Sequence, residues 1–294
     1  EEEEESSEED SDPDEPLETE SESDEDDEES DEIKITTFEQ LPTQTKELAK
    51  VERKKYKKNH STMWIQEFMH NNDYNIIDNE GSGECLFAVI RDGLARVGKK
   101  ITIKDLRDIL VQNITEDIFK NYKEHYNSFY DQHKLAVDEV KELDQKQKDY
   151  KKMFLKTHDR QKQSTYVNEA KKIKEKHDKK LNELDTANEL LSEFQFMKYV
   201  KTIDDFKDII QTCDFWGDTW AISTLERVLN IKLILLSEEA YDEDDKNNVL
   251  LCGQLNDSIL QKKQIFEPNH YLLMNYNGDH YQLITYKKRG AFTF

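Results

Sequence analysis

Cysteine, proline and glycine are scarce: 3, 4 and 8 residues in a chain of 294. Cys85, Cys213 and Cys252 are too few and too scattered for a disulfide framework or a metal knuckle, which points to a reducing compartment such as the cytoplasm. No apolar run approaches the roughly 18 residues of a membrane span, and no apolar segment near Glu1 would serve as a signal peptide, so no membrane partner is expected. Opening at Glu1 rather than Met, the sequence reads as a piece of a longer chain. Basic charge in excess is also missing. The net charge is -23, and residues 1–32 hold 22 Asp and Glu with no Lys or Arg. The remainder, with 43 acidic and 42 basic residues, is nearly neutral, which excludes a strongly basic nucleic-acid surface as the organising feature and predicts no nucleic-acid partner.

Residues 1–32 are almost entirely Glu, Asp and Ser and cannot bury enough apolar surface to offset the entropy of ordering, so they read as an acidic disordered tail. Such a block serves as a solubilising linker, or as a docking or phosphorylation segment through Ser21 and Ser23. Residues 33–294 form the folded domain. Within it, residues 99–216 contain neither glycine nor proline and are rich in Lys, Glu, Gln and Leu, which predicts long helices. Tyr126, Phe129, His133, Ala136, Val140, Leu143, Gln147, Tyr150 and Phe154 advance by threes and fours. A second seam runs through Tyr166, Ala170, Ile173, His177, Leu181, Leu184 and Leu191. The polar stretch Thr157 to Ser164 separates them. The expectation is an antiparallel helical hairpin, Ile118 to Lys156 and Thr165 to Tyr199, inserted into the domain over residues 118–199.

The flanks read as mixed α/β (α+β). Tyr74 to Ile77 is a short strand, Cys85 to Arg96 a helix, Thr219 to Leu229 a second helix, and Ile231 to Leu236 a buried strand. Tyr271 to Tyr276 and His280 to Tyr286 surround Asn277-Gly278, the strongest short-range hairpin signal. The fold predicted is a central β-sheet flanked by helices, with the long hairpin as an insertion.

The segment Gly81-Ser82-Gly83-Glu84-Cys85 sets a cysteine at the mouth of a helix after two glycines. The glycines permit a tight turn that can aim N–H groups at one point, and a helix N-terminus favours a thiolate. Taken locally, Cys85 is either a nucleophile or a buried structural cysteine. A thiolate needs a base. Of eight histidines, His125, His133, His158 and His177 lie in the arm, and His60 and His70 show no partner pattern. His270 and His280 each begin a strand, and His280 is the better placed because it leaves the Asn-Gly turn directly.

Three blocks carry a resemblance. Gly81-Ser82-Gly83-Glu84-Cys85-Leu86-Phe87 resembles the cysteine box of the ovarian-tumour (OTU) family of cysteine proteases, Asp-Gly-any-Cys-Leu-Phe. Trp216-Gly217-Asp218 with its following helix and strand is similar to the second block, and His280-Tyr281-Gln282-Leu283-Ile284 to the histidine box. They occur in the family's order over residues 72 to 110 and 195 to 286. The resemblance implies a papain-like OTU fold and a deubiquitinase that hydrolyses the isopeptide bond after ubiquitin's C-terminal glycine, with ubiquitin or polyubiquitin as partner and the cytoplasm, or that of a host cell, as compartment. Cys85 would be the nucleophile and His280 the general base. The backbone of Ser82, Gly83, Glu84 and Cys85 would form the oxyanion loop, and Glu80, Glu84, Trp216, Gly217 and Asp218 would line an acidic ubiquitin-tail cleft. No metal or cofactor is needed.

Two positions depart from the family. Ser82 stands where an aspartate is usual. Gln282 stands where an Asp or Asn orients the histidine, leaving Asp78, Asp279 and Asp73 as substitutes. These departures make a catalytically weak or inactive ubiquitin-binding module the alternative function. In resembling proteins, chiefly from intracellular bacteria and viruses, an insertion at the arm's position helps bind ubiquitin, while a spacer or oligomerisation hairpin explains the same seam. The Asn, Lys, Asp and Ile bias fits an AT-rich genome, such as that of a large DNA virus or a parasite.

Overall fold

The computed structural model describes residues 45–251 and 268–292. The acidic segment 1–32 and Cys252 lie outside the described residues. In chain order the elements are α1 (Lys46–Lys55), α2 (Trp64–Met69), β1 (Tyr74–Ile77), α3 (Cys85–Ala95), α4 (Ile103–Gln112), α5 (Glu116–Lys156), α6 (Arg160–Glu193), a 3-10 turn (Gln195–Tyr199), α7 (Ile203–Ile210), α8 (Thr219–Leu229), β2 (Ile231–Ser237), α9 (Glu238–Asp242), β3 (His270–Tyr276) and β4 (Tyr281–Tyr286). The molecule is mixed α/β, with one four-stranded sheet ordered β1-β4-β3-β2. β2 and β3 run parallel, and the other two pairings are antiparallel.

Alternation along the strands divides the interior in two. Leu233, Leu272, Met274 and Leu283 face the large core under α3, α4, α7 and α8, where Phe87, Leu106, Phe206 and Phe215 are fully buried. Leu236 and Ile284 face the opposite side with Ile65 of α2 and Val249, against Tyr241 of α9. The sheet therefore has helices on both faces, and residues two apart on a strand share a face. Helix starts follow their sequence signals. Thr102 and Thr202 form capping boxes with Asp105 and Asp205, and Asp218 caps α8 by accepting from the Ala221 N–H at 3.0 Å. Asn230 takes a left-handed conformation (φ 53°) and stops α8 just before β2.

The hairpin arm is present as α5 and α6, roughly 60 and 50 Å long at 1.5 Å per residue. Tyr150 meets Tyr166 across the seam at 6.1 Å between ring centroids, His177 Nε2 lies 3.1 Å from Asp144 Oδ1, and Lys180 Nζ 2.7 Å from Glu139. The second helix begins at Arg160, not Thr165. The Asp159 carboxylate accepts from the Gln161 and Lys162 N–H groups, so the reversal needs only residues 157–159. It also ends earlier, at Glu193, because Phe194 and Phe196 leave the arm to join the aromatic cluster at its root.

That root is organised by Tyr122, only 6% exposed, whose ring lies 4.9 Å from Phe206 and near Phe196, Phe215 and Trp220. Its hydroxyl donates to Asp218, so the residue that caps α8 also anchors α5. Burial first, then the Asp218 charge, pushes the Tyr122 phenol far above its ordinary range. Tyr122→Phe should keep the ring packing, leave Asp218 short of a donor and lower stability by about 1–2 kcal/mol in urea denaturation. Tyr122→Ala should cost about 3–5 kcal/mol by opening a cavity at the arm's root.

Candidate functional site

β1 ends at Ile77, and residues 78–84 lead to the N-terminus of α3 at Cys85. Within that loop the Glu84 N–H donates to Gly81 O at 3.3 Å, with Ser82 (φ 57°) and Gly83 (φ 84°) between them. Two successive positive φ values are the signature of a type I′ turn. Gly83 is obligatory: a Cβ there would lie 1.9 Å from Cys213 O. Ser82 adopts the same region at a cost of about 1 kcal/mol, since only Gly and, less often, Asn or Asp visit it freely. Glu84 makes no side-chain cap bond to α3. Its own N–H is spent on Gly81, which removes it from the expected oxyanion donors and leaves the Ser82, Gly83 and Cys85 amides of this loop for a developing negative oxygen.

The loop is held from below by Arg107, a residue sequence reading passed over. Its guanidinium, with the residue 2% exposed, donates to Ile210 O at 2.6 Å, Phe215 O at 3.4 Å and Gly83 O at 3.2 Å, and lies 4.3 Å over the Phe87 ring. Burial lowers its pKa from the usual value, partly offset by the Glu84 charge. The signal was available: Ile103, Leu106 and Leu110 set the apolar face of α4, and Arg107, four residues after Ile103 and three before Leu110, falls on that face.

His280 leaves the β3–β4 turn with its N–H donating to Asn277 Oδ1 at 3.1 Å. Its ring Nε2 lies 3.3 Å from Asp78 Oδ1, and the same oxygen accepts from Gln282 Nε2 at 2.9 Å. The Gln282 carbonyl accepts instead from Asn275 Nδ2 at 2.8 Å, and Asn275 Nδ2 also donates to Glu238 at 2.8 Å. Strand pairing explains the row. Asn275 is the partner of Gln282, and Ile77 pairs with Leu283, so Asp78 falls opposite Gln282. Of the three aspartates that could orient the histidine, Asp78 is therefore the one in contact. Gln282 positions Asp78 rather than the imidazole. These hydrogen bonds, Gln282 first and then His280, hold the Asp78 carboxyl below its usual range, so it stays ionised wherever an imidazole titrates. His270 stands at the other end of β3, roughly 20 Å from Tyr276 at 3.3 Å per residue.

Cys85, 6% exposed, opens into a cleft of about 1130 Å³ that Gly83, Trp216, Tyr276, Asp279 and Tyr281 also line. Residues on both sides of His280 thus reach the cleft that holds Cys85. Among the described residues no hydrogen bond joins the thiol to the ring. Tyr281 stacks on Tyr276 at 5.0 Å, and burial, foremost, raises both phenols. Trp216 is half exposed, while Gly217 is pressed on Leu86, where a Cβ would come within 2.1 Å of Cδ2. The acidity expected of the cleft comes largely from other residues. Glu193, Asp205, Asp208, Asp214 and Asp279 line it beside the expected Asp218, whereas Glu80 and Glu84 do not. Glu80 is held by Arg91 in two bonds of 2.9 Å, and Asp218 by Tyr122. These acids stand on α6, α7 and two loops, and no linear motif announces their convergence. Among the described residues no group of three or more His, Cys, Asp or Glu could hold a metal ion.

No family model matches this chain, and no curated protein or solved structure matches it.

Alkylation of Cys85 tests whether His280 and, through it, Asp78 act on the thiol. Asp78→Ala should slow iodoacetamide labelling of Cys85 about ten-fold, and His280→Ala about 100-fold. Peptide mapping is required because Cys213 is exposed and competes. Gly83→Ala should abolish preferential labelling at Cys85, since neither Cys213 O nor a positive φ accommodates the methyl group.

Proposed function

We propose that the chain is an OTU-like, thiol-dependent ubiquitinyl hydrolase with Cys85 as nucleophile, His280 as general base and Asp78 as the residue that orients it. The observation that carries the reading is the shared cleft: a cysteine on a helix N-terminus opens into the space lined by the turn whose histidine is held by a carboxylate. The ordered sequence blocks supply the substrate class. A tail bearing arginine and ending in glycine suits a cleft in which Glu193, Asp208, Asp214 and Asp279 outnumber Lys198.

In this mechanism His280 takes the Cys85 proton and the thiolate adds to the carbonyl carbon of the isopeptide bond. The resulting oxyanion is met by the remaining amides of the Ser82 to Cys85 loop. Collapse breaks the C–N bond, with the imidazolium delivering its proton to the departing lysine amine. Water, deprotonated by His280, then attacks the thioester and releases the carboxylate and the thiol. Asp78 stabilises the imidazolium formed in both halves. No metal or organic cofactor takes part. A free thiol nucleophile suits a reducing compartment such as a cytoplasm.

A second reading, a ubiquitin-binding module of little activity, draws on the strained Ser82 and on the Gln282 carbonyl turned away from His280. Ubiquitin bearing a C-terminal thiol-reactive electrophile decides between them. Active enzyme should form an adduct mapped to Cys85, lost in Cys85→Ala and about 100-fold slower in His280→Ala. Ubiquitin binding with no adduct would establish the module, and an adduct surviving Cys85→Ala would overturn the assignment.

A further inference from the structure

The far end of the hairpin arm has a composition that neither the seam nor the cleft explains. Residues 146–172, the last turns of α5, the reversal and the facing turns of α6, hold nine Lys and Arg against three Asp and Glu, a net of +6 in a body whose total is close to neutral. Lys146, Lys152 and Lys172 are paired to acids. Lys148, Lys151, Lys156, Arg160, Lys162 and Lys171 are exposed and have no ion pair among the described residues.

Set among these cations are exposed apolar side chains, of which only Phe154 falls on the seam. Met153 is 49% exposed, Phe154 37% and Leu155 70%, with Val167 at 41%. Three consecutive residues cover more than half the circumference of the last turn of α5, so at most one can face α6. The apolar group sits at the tip, roughly 45 Å from Tyr126 at the arm's root.

We propose that the tip of the arm docks on an anionic lipid bilayer, with Met153, Phe154 and Leu155 entering the headgroup boundary and the surrounding Lys and Arg meeting lipid phosphates and carboxylates. Charge and polarity select this occupant. A second copy meeting it tip to tip would bring +6 against +6, and the acidic residues 1–32 would satisfy the cations but leave the exposed apolar turn in water. A nucleic-acid backbone would satisfy the cations but leave the exposed apolar turn in water. A bilayer with anionic headgroups uses both, and a cluster of four to eight basic residues beside apolar ones is the composition such surfaces attract. Contact with a surface needs no spanning helix, and among the described residues no helix is long and apolar enough to be one. Surface docking of this kind departs from the expectation of no membrane partner, which rested on the lack of a spanning run and of a signal peptide. It is independent of the chemistry assigned to Cys85.

The test is flotation of the full chain with phosphatidylcholine vesicles, with and without phosphatidylserine. Binding is expected only with phosphatidylserine. The triple variant Lys151→Glu, Lys156→Glu, Lys162→Glu should lose on the order of 100-fold or more in affinity, at about five-fold for each cation removed from the surface. Met153→Ser, Phe154→Ser, Leu155→Ser should lose at least about ten-fold with every charge retained. All six side chains are exposed, so unchanged far-ultraviolet dichroism is expected and confirms that the arm is intact. Equal flotation on both vesicles, or none on either, overturns the proposal. So does an apolar variant that floats like the parent, and if duplex RNA or DNA then binds tightly the tip is a polyanion site instead.

Discussion

A guanidinium taken out of water needs fixed acceptors in place of its hydration, and Arg107 finds them in three backbone carbonyls from different parts of the chain. Ile210 ends α7, Phe215 belongs to the loop before α8, and Gly83 lies in the turn before Cys85. An unpaired charge at this depth costs several kcal/mol, so the segments supplying those oxygens cannot part without exposing the cation to an apolar surround. The turn before Cys85 is thus fixed by a side chain that never enters the cleft. Phe87, two residues after the cysteine, carries the guanidinium on its ring and completes the link between α3 and α4.

A second constraint acts across the sheet. Asp78, Gln282 and Asn275 belong to one cross-strand row, and Glu238 at the start of α9 closes it. A one-residue slip of β1 against β4 would turn the aspartate to the other face and separate it from His280. Strand register, fixed by the two apolar cores on either side of the sheet, therefore sets the geometry of a polar row at the sheet's end. Asp218 does similar double work, since one oxygen caps α8 and the other receives Tyr122, so the cleft wall and the arm share a root.

The elements near the site were legible because their signals are local. β1, α3, α8, β2 and the terminal hairpin fall within a residue or so of the boundaries that alternation, capping and Asn-Gly indicate. The arm was legible from its seam and from the lack of glycine and proline. Its reversal was misplaced because Asp159, one side chain, decides where α6 starts. Cys85 and His280 stood out by type and position. Arg107 was missed because a lone cation on an apolar helix face reads as an ordinary exception.

What the sequence by itself determined is the helical arm, the strands and the helices that begin at Cys85 and Thr219, the pairing of the terminal hairpin and the candidacy of Cys85 and His280, since each depends on residues a few positions apart. Tertiary structure decided which aspartate meets His280, which carboxylates make the cleft acidic and which carbonyls hold Arg107. Those partners lie up to two hundred residues apart, and only packing, through strand register and the burial of one guanidinium, brings them within hydrogen-bond distance.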